Sequence, residues 1–194
     1  NNATQFWGAA DTSGTGGECG DPGNDVGTGT ETCNGDGDGN VGASGERPEM
    51  HRFWQHLANA GLITGEFTGT QGSGGQNHVV PGENAPRSKF GSAGWTVTNY
   101  GYYAGDGEMH EYDYGTFMQL GAASPSDITW YQAFTAEDVW NIDVKIDDGR
   151  PGRGKVLIEW WDVCSTAATN DDYDGDYLLS ADGEICSIIF PRAI

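Results

Sequence analysis

The chain has 194 residues, 36% of them hydrophobic, which suits one compact domain spanning residues 1–194 with a core of its own. Asp and Glu outnumber Lys and Arg by 29 to 9, so the formal net charge is -20. A surface this acidic repels the phosphates of nucleic acids and anionic lipid headgroups, and we therefore expect no nucleic-acid partner. Aromatic residues make up 11% of the chain and argue against disorder.

The first quarter of the chain is rich in glycine and is followed by a helix. Residues 12–46 lack apolar periodicity, and a connection of that length needs something other than a core to order it. Pro48 suits the first position of a helix, and Gly61 supplies a left-handed stop. Between them, four apolar residues have the spacing of one helix face: Met50, Phe53, Trp54 and Leu57.

A long loop and two strands are predicted next. Residues 64–94 are rich in Gly, Ser and Asn with few apolar residues, which predicts a surface loop. Residues 94–103 and 114–122 are rich in β-branched and aromatic residues. They predict two antiparallel strands.

A second helix and two more strands complete the predicted order. Thr135 and Asp138 have the spacing of a capping box, so a short helix is predicted over residues 136–147. Residues 155–161 and 184–190 are predicted as strands. The elements together predict an α+β fold with long glycine-rich loops.

The cysteines lie as two local pairs, one near each end of the chain. They are Cys19, Cys33, Cys164 and Cys186. An even count without a C-x-x-C pair predicts two disulfides and an oxidising compartment, although four cysteines allow three connectivities. The shortest loops pair Cys19 with Cys33 and Cys164 with Cys186. The alternative, a zinc site, would need more closely spaced ligands.

Residues 34–46, NGDGDGNVGASGE, follow the calcium-loop template D-x-[DN]-x-[DN]-G. The predicted Ca²⁺ ligands are Asn34, Asp36, Asp38, Asn40 and Glu46. Alternate residues of a tight loop point inward, which suits an ion that takes six to eight oxygen ligands. Two positions depart from the template. The first ligand position is Asn34 rather than Asp, and the acid that would close the site, Glu46, lies one residue after the twelfth position. The alternative interpretation is a glycine-rich turn with solvated carboxylates.

A second acidic stretch, residues 170–177, follows no metal-binding template. A possible second metal site there would use Asp171, Asp172, Asp174 and Asp176. We favour the interpretation that this stretch is a solvated acidic loop.

Two carboxylates four residues apart, Asp143 and Asp147, lie on one predicted helix face, with Asp148 beside them. Paired carboxylates can perform acid–base chemistry. A chain with 29 acidic residues produces such pairs by chance, however. We favour capping or pairing with Arg150 or Arg153, and we predict that the protein is not an enzyme.

Several blocks resemble a known family. ATQFWG, TCNGDGDG, FWQHLANAGLI with GEFTG, and TAEDVWNIDVKIDDGRPGRGKV run in order between residues 3 and 156. They resemble the globular part of bacterial type IV pilin-like proteins, the pilins and pseudopilins with a prepilin-type methylated N-terminus. The resemblance implies a helix laid on an antiparallel sheet and a disulfide-bounded C-terminal loop. It also implies a cleaved leader and a hydrophobic N-terminal helix, both absent from this sequence. The subunit would contact a membrane only through that helix.

The resemblance implies a structural role outside the cytoplasm. The expected function is a calcium-stabilised subunit of an extracellular or periplasmic filament, either a pilus or a type II secretion pseudopilus, with other pilin-like subunits as partners. The alternative from another class is a secreted calcium-dependent module that binds glycans or a surface through exposed Trp side chains. A hydrolase that uses paired carboxylates is the weakest of the three.

A cluster of positive charge in an acidic chain suggests how subunits would meet. Its basic residues are Lys145, Arg150, Arg153 and Lys155. We expect this turn to contact the acidic residues 170–176 of a neighbouring subunit.

Overall fold

The computed structural model describes residues 7–8, 32–35, 37–42, 48–105 and 107–193. Within these ranges the elements are α1 (Pro48–Asn59), β1 (Ala93–Tyr103), β2 (Tyr112–Ala122), α2 (Ala136–Ile146), β3 (Leu157–Glu159), α3 (Trp161–Cys164) and β4 (Ser187–Phe190). The strands form an antiparallel sheet in the order β1-β2-β4-β3. The predicted class, a helix packed on an antiparallel sheet, is confirmed.

The helix predicted from Pro48 is confirmed as α1, and Gly61 follows its end with a φ of 69°. Its apolar stripe packs on the sheet. Met50 and Trp54 are buried in one cluster with Val97 of β1. Because the stripe follows from sequence spacing, both the helix and its buried face could be predicted.

The surface loop predicted over residues 64–94 is a loop up to the start of β1 at Ala93, but part of it is buried, which the prediction missed. Val79 is 1% exposed and Ala85 is fully buried, and both belong to the core cluster of α1. The segment also covers a polar side of α1, where Gln55 Nε2 donates to the carbonyl of Thr68 at 3.3 Å. The composition indicated turns correctly, but these turns fold back over the helix and accept hydrogen bonds from some of its buried polar groups.

Local sequence patterns predicted β1, β2 and the start of α2 correctly. β1 and β2 pair along their length as the two predicted strands. The capping box of α2 is present: Asp138 N donates to Thr135 Oγ1 at 3.1 Å, and Thr135 N donates to Asp138 Oδ2 at 3.3 Å. Both features depend on residues that are near one another in sequence.

The strand predicted over residues 155–161 is shorter than expected. Trp160 adopts a left-handed conformation with φ 69° and ψ 46°, which ends β3 and starts α3. Its indole Nε1 donates to the carbonyl of Trp130 at 2.9 Å, and the two rings stack with centroids 5.3 Å apart. Trp161 Nε1 donates to the carbonyl of Gly107 at 3.0 Å. These contacts hold the chain in a conformation that is uncommon for a bulky residue.

A disulfide joins Cys164 at the end of α3 to Cys186 next to β4, as predicted. It lies in a core cluster with α2, β3 and β4, and it closes a loop over residues 165–185. Cys19 lies outside the described residues, so its predicted pairing with Cys33 stays a prediction. None of the helices in the described ranges is long and apolar enough to span a membrane.

Candidate functional site

The predicted calcium loop is described in part. Asp36 and Glu46 lie outside the described residues, whereas Asn34, Asp38 and Asn40 lie within them. Asp38 Oδ1 accepts from Asn40 N at 2.7 Å, and Asp38 Oδ2 accepts from Asn40 Nδ2 at 2.7 Å. These two predicted ligands therefore form a turn with each other. Calcium binding by the whole set stays a prediction.

This glycine-rich turn is attached to the sheet. Asn99 Nδ2 of β1 donates to Asn40 Oδ1 at 2.9 Å, and Thr98 Oγ1 donates to the carbonyl of Gly42 at 3.2 Å. Two neighbouring residues of β1 thus hold the turn. A shift of this turn would therefore alter hydrogen bonds made by β1, the edge strand of the sheet.

The basic turn contacts the acidic loop of its own chain. Arg150 forms an ion pair with Asp176, and Arg153 Nη1 donates to Asp174 Oδ1 at 2.8 Å. The contact that we expected between neighbouring subunits is therefore made within one chain. The pairs are exposed, with Asp174 and Asp176 side chains 85% and 73% accessible, and each is worth only about 0 to 1 kcal/mol.

The other two acids of this loop bind neighbouring polar groups of the loop. Asp171 Oδ1 accepts from Thr169 Oγ1 at 2.5 Å. Asp172 Oδ2 accepts from the backbone N of Ala168 at 3.1 Å. In the described part of the chain, the carboxylates that converge closely enough to hold a metal ion belong to a different group.

That group lies at the C-terminal end of α2. Asp143, Asp147 and Asp148 each offer one oxygen, and these oxygens lie within 4.8 Å of one another. The last helical hydrogen bond runs from Asp147 N to the Asp143 carbonyl at 2.6 Å, and the chain then leaves the helix and turns at Gly149, whose φ is 76°. Three carboxylates at this separation could hold a metal ion. From the sequence we had expected capping or pairing with Arg150 or Arg153 for these acids.

Asp143 is fully buried, and its two oxygens differ in their hydrogen bonds to the described residues. Tyr177 Oη donates to Asp143 Oδ2 at 2.8 Å. Asp143 Oδ1 accepts no hydrogen bond of normal geometry from the described residues. Burial raises the pKa of Asp143 to about 6, and the carboxylates of Asp148 and Asp147 add to the rise, whereas the Tyr177 hydroxyl and the nearby backbone N–H of Gly149 oppose it. The carboxylate is therefore costly to keep charged without a cation.

The turn after α2 wraps around the other two acids. Asp147 Oδ2 accepts from the backbone N of Lys155, and Asp148 Oδ2 accepts from Arg153 Nε at 3.0 Å. Gly154 has a φ of 91°, and a Cβ there would lie 1.8 Å from Asp147 Oδ2. The close approach of backbone to carboxylate at this point requires glycine.

A second candidate site is a cleft of about 260 Å³ beside β3. Its walls carry the aromatic residues Tyr100, Tyr103 and Trp130 and the acidic residues Glu108, Asp127 and Glu159. Burial raises the pKa of Glu159 to about 8, with Glu108 and Asp127 adding to the rise and the hydrogen bond from Gln119 opposing it. The cleft joins residues that are far apart in sequence, so sequence spacing could not reveal it.

No family model, curated protein or solved structure matches this chain. The fold and the candidate sites described above are the structural basis for a proposed function.

Proposed function

We propose that this chain is the globular domain of a structural subunit in a bacterial type IV pilin-like filament, located in the periplasm or outside the cell. One observation carries the proposal. The helix α1 lies on an antiparallel sheet, and the disulfide Cys164–Cys186 ties a C-terminal loop, which are the features that the resemblance implies. The block FWQHLANAGLI supplies the second half of α1, and NIDVKIDDG ends α2.

An exposed apolar surface on α2 supports subunit contacts. Trp140 and Val144 lie one helical turn apart and are 37% and 43% exposed. Large apolar side chains that neighbour each other on a surface are typical of protein interfaces. In the filament, we propose that another pilin-like subunit covers this surface. The role is structural, and no reaction is assigned to the chain.

The first test concerns the native assembly. We expect the gene to encode a prepilin leader and about 20 apolar residues before this domain, and immuno-electron microscopy with antibodies to the domain to label filaments along their length. A gene without such a segment, or a domain found only as a monomer in its native medium, would contradict the proposal.

The second test concerns the interface. In the full-length subunit, Trp140→Ser with Val144→Ser should reduce the number of filaments seen by electron microscopy, because the apolar area buried between subunits is lost. Leu62→Ser is the matched control, since Leu62 is 71% exposed but lies next to α1. Equal filament numbers in the double variant and the control would remove this surface from the interface.

The aromatic cleft favours a second candidate function, a glycan-binding module. Tyr100 is 44% exposed and stacks on Tyr103, with ring centroids 6.4 Å apart. Sugars stack on such rings, and carboxyl groups at the cleft wall would bind their hydroxyls. Titration with a panel of soluble oligosaccharides, followed by Trp fluorescence, tests this function. Binding should be lost in Tyr100→Ala and kept in Tyr102→Ala, because Tyr102 does not line the cleft.

A further inference from the structure

We propose that Asp143, Asp147 and Asp148 form a calcium site at the C-terminal end of α2, on a different segment from the glycine-rich residues 34–46. The three carboxylates come from the last turn of the helix and the residues that follow it. One oxygen from each lies within 4.8 Å of the others, which is close enough for one ion to contact all three. Carboxylates that lie close together do not by themselves define a metal site. The hydrogen bonding of the buried carboxylate, Asp143, is therefore the second observation needed.

Asp143 supplies the independent observation. It is fully buried, and its Oδ1 accepts no hydrogen bond of normal geometry from the described residues. A buried carboxylate oxygen without a donor carries a large desolvation cost unless a cation lies beside it. Among the described residues neither Asp143 nor Asp147 forms an ion pair, and only Asp148 does, with Arg153. The group therefore has one guanidinium for three carboxylates.

The helix itself adds to the need for positive charge. The C-terminal end of a helix carries a partial negative charge from its unpaired carbonyls, so carboxylates there are destabilising. α2 runs for 11 residues and ends at Ile146, directly before Asp147 and Asp148. A divalent cation between the carboxylates would offset both the repulsion among them and the interaction with the helix end.

The ligand types favour calcium over other metals. All three side chains offer oxygen, and the group contains no His or Cys, which argues against zinc and copper. Magnesium requires near-ideal octahedral geometry, whereas calcium accepts irregular sets of carboxylates, backbone carbonyls and waters. The turn after α2 brings backbone N–H groups to the carboxylates, with Arg150 N donating to Asp148 Oδ1 at 2.9 Å, so waters would complete the calcium coordination sphere.

A bound ion would stabilise three segments together. Asp143 accepts from Tyr177, which lies in the loop closed by Cys164–Cys186. Asp148 pairs with Arg153, which also binds Asp174 of that loop. We therefore expect Ca²⁺ to lower hydrogen exchange in residues 165–185 as well as in the turn after α2.

The test uses the isolated domain of residues 1–194 with Ca²⁺ and Tb³⁺ as probes. Trp140 lies close to the turn, since a Cβ at Gly149 would be 3.6 Å from its Nε1, and its excitation should sensitise Tb³⁺ luminescence. We expect calorimetry to give a Kd of about 10⁻⁴ to 10⁻³ M for Ca²⁺ and Ca²⁺ to displace Tb³⁺. Asp143→Asn should weaken Ca²⁺ binding by about tenfold or more and abolish the luminescence.

Three further variants make the result specific. Asp148→Asn, which is exposed, should also weaken binding and covers the case in which Asp143→Asn does not fold. Glu137→Gln removes an exposed charge from the same helix and should change nothing. Asp38→Asn, in the glycine-rich loop, should leave the Trp140-sensitised luminescence intact.

Two results would overturn the site. One is absence of Ca²⁺ binding by the wild-type domain up to about 10 mM, well above the expected Kd. The other is Ca²⁺ binding that is as strong in Asp143→Asn and in Asp148→Asn as in the wild type. This includes the case in which only Asp38→Asn abolishes Ca²⁺ binding. Because the assay uses the monomeric domain, its outcome is independent of whether the chain forms filaments.

Discussion

Glu159 makes the stability of this domain depend on pH in a way that can be measured. The residue ends β3, is 6% exposed, and accepts a hydrogen bond from Gln119 Nε2. Burial raises its pKa from 4.5 to about 8, with Glu108 and Asp127 adding to the rise. At neutral pH the carboxyl is therefore protonated in the folded state and ionised in the unfolded state.

The sign follows from proton counting. Between pH 4.5 and 8 the folded state binds one more proton at Glu159 than the unfolded state does, so the free energy of unfolding falls as pH rises. Burial lowers the pKa of His51 and His56 from 6.5 to about 4 and also lowers the pKa of His110, which acts in the opposite direction up to about one unit above pH 6.5. Asp143, whose pKa is raised to about 6, adds a smaller contribution near pH 6.5. The difference between the wild-type domain and a variant that lacks the Glu159 carboxyl therefore isolates Glu159 between pH 6.5 and 8.

The magnitude in this window can be worked out from the two pKa values. The full slope is about 1.4 kcal/mol per pH unit, and it halves as pH approaches the folded pKa. Over the 1.5 units between pH 6.5 and 8, the contribution of Glu159 to the unfolding free energy should fall by about 1 to 2 kcal/mol.

Urea unfolding at several pH values within the window is the assay, and Glu159→Gln is the variant. Gln has the shape of the protonated acid, can still accept from Gln119, and cannot ionise. We expect the unfolding free energy of the wild-type domain to fall relative to that of Glu159→Gln by about 1 to 2 kcal/mol across the window, whereas Glu184→Gln, at an exposed position, should keep the wild-type pH dependence. The same pH dependence in the wild type and in Glu159→Gln would refute the reasoning.

Three other substitutions test the fold by denaturant titration. Thr135→Ala removes the cap of α2 and should cost about 1 kcal/mol, whereas Thr135→Ser should keep most of it; equal losses would argue against the cap. Replacing both Cys164 and Cys186 by Ser should cost about 3 kcal/mol, because it frees a 22-residue loop, and an unchanged midpoint would contradict this. Gly154→Ala places a Cβ 1.8 Å from a carboxylate oxygen and should destabilise more than Gly183→Ala, which has a similar φ but open space around it; similar losses would show that the backbone conformation alone matters.

The parts of the fold that could be predicted from the sequence depend on local patterns. The start of α1 at Pro48 and the capping box at Thr135 involve residues within one helical turn of each other. The burial of residues 64–92 depends instead on contacts with α1, and composition contains no information about them. The left-handed Trp160 also has no sequence signature, because contacts with residues far away in sequence, such as Trp130, hold it there.

The candidate calcium site shows the same division. The spacing of Asp143, Asp147 and Asp148 is visible in the sequence, and so is the glycine that turns the chain after them. The burial of Asp143 and its contact with Tyr177, 34 residues away, are not visible. Without them the three acids could not be told apart from the many other carboxylates of an acidic chain.

The intrachain ion pairs bear on how subunits of this charge would associate. The sequence identified opposite charges that attract, but it could not say whether they belong to one chain or to two. Among the described residues, Arg150, Arg153 and Arg192 pair with acids of their own chain. Subunits with a net charge of -20 repel one another, and the repulsion grows as they approach. In the proposed filament, apolar surface such as that on α2 must supply the attraction, and bound divalent cations would reduce the repulsion.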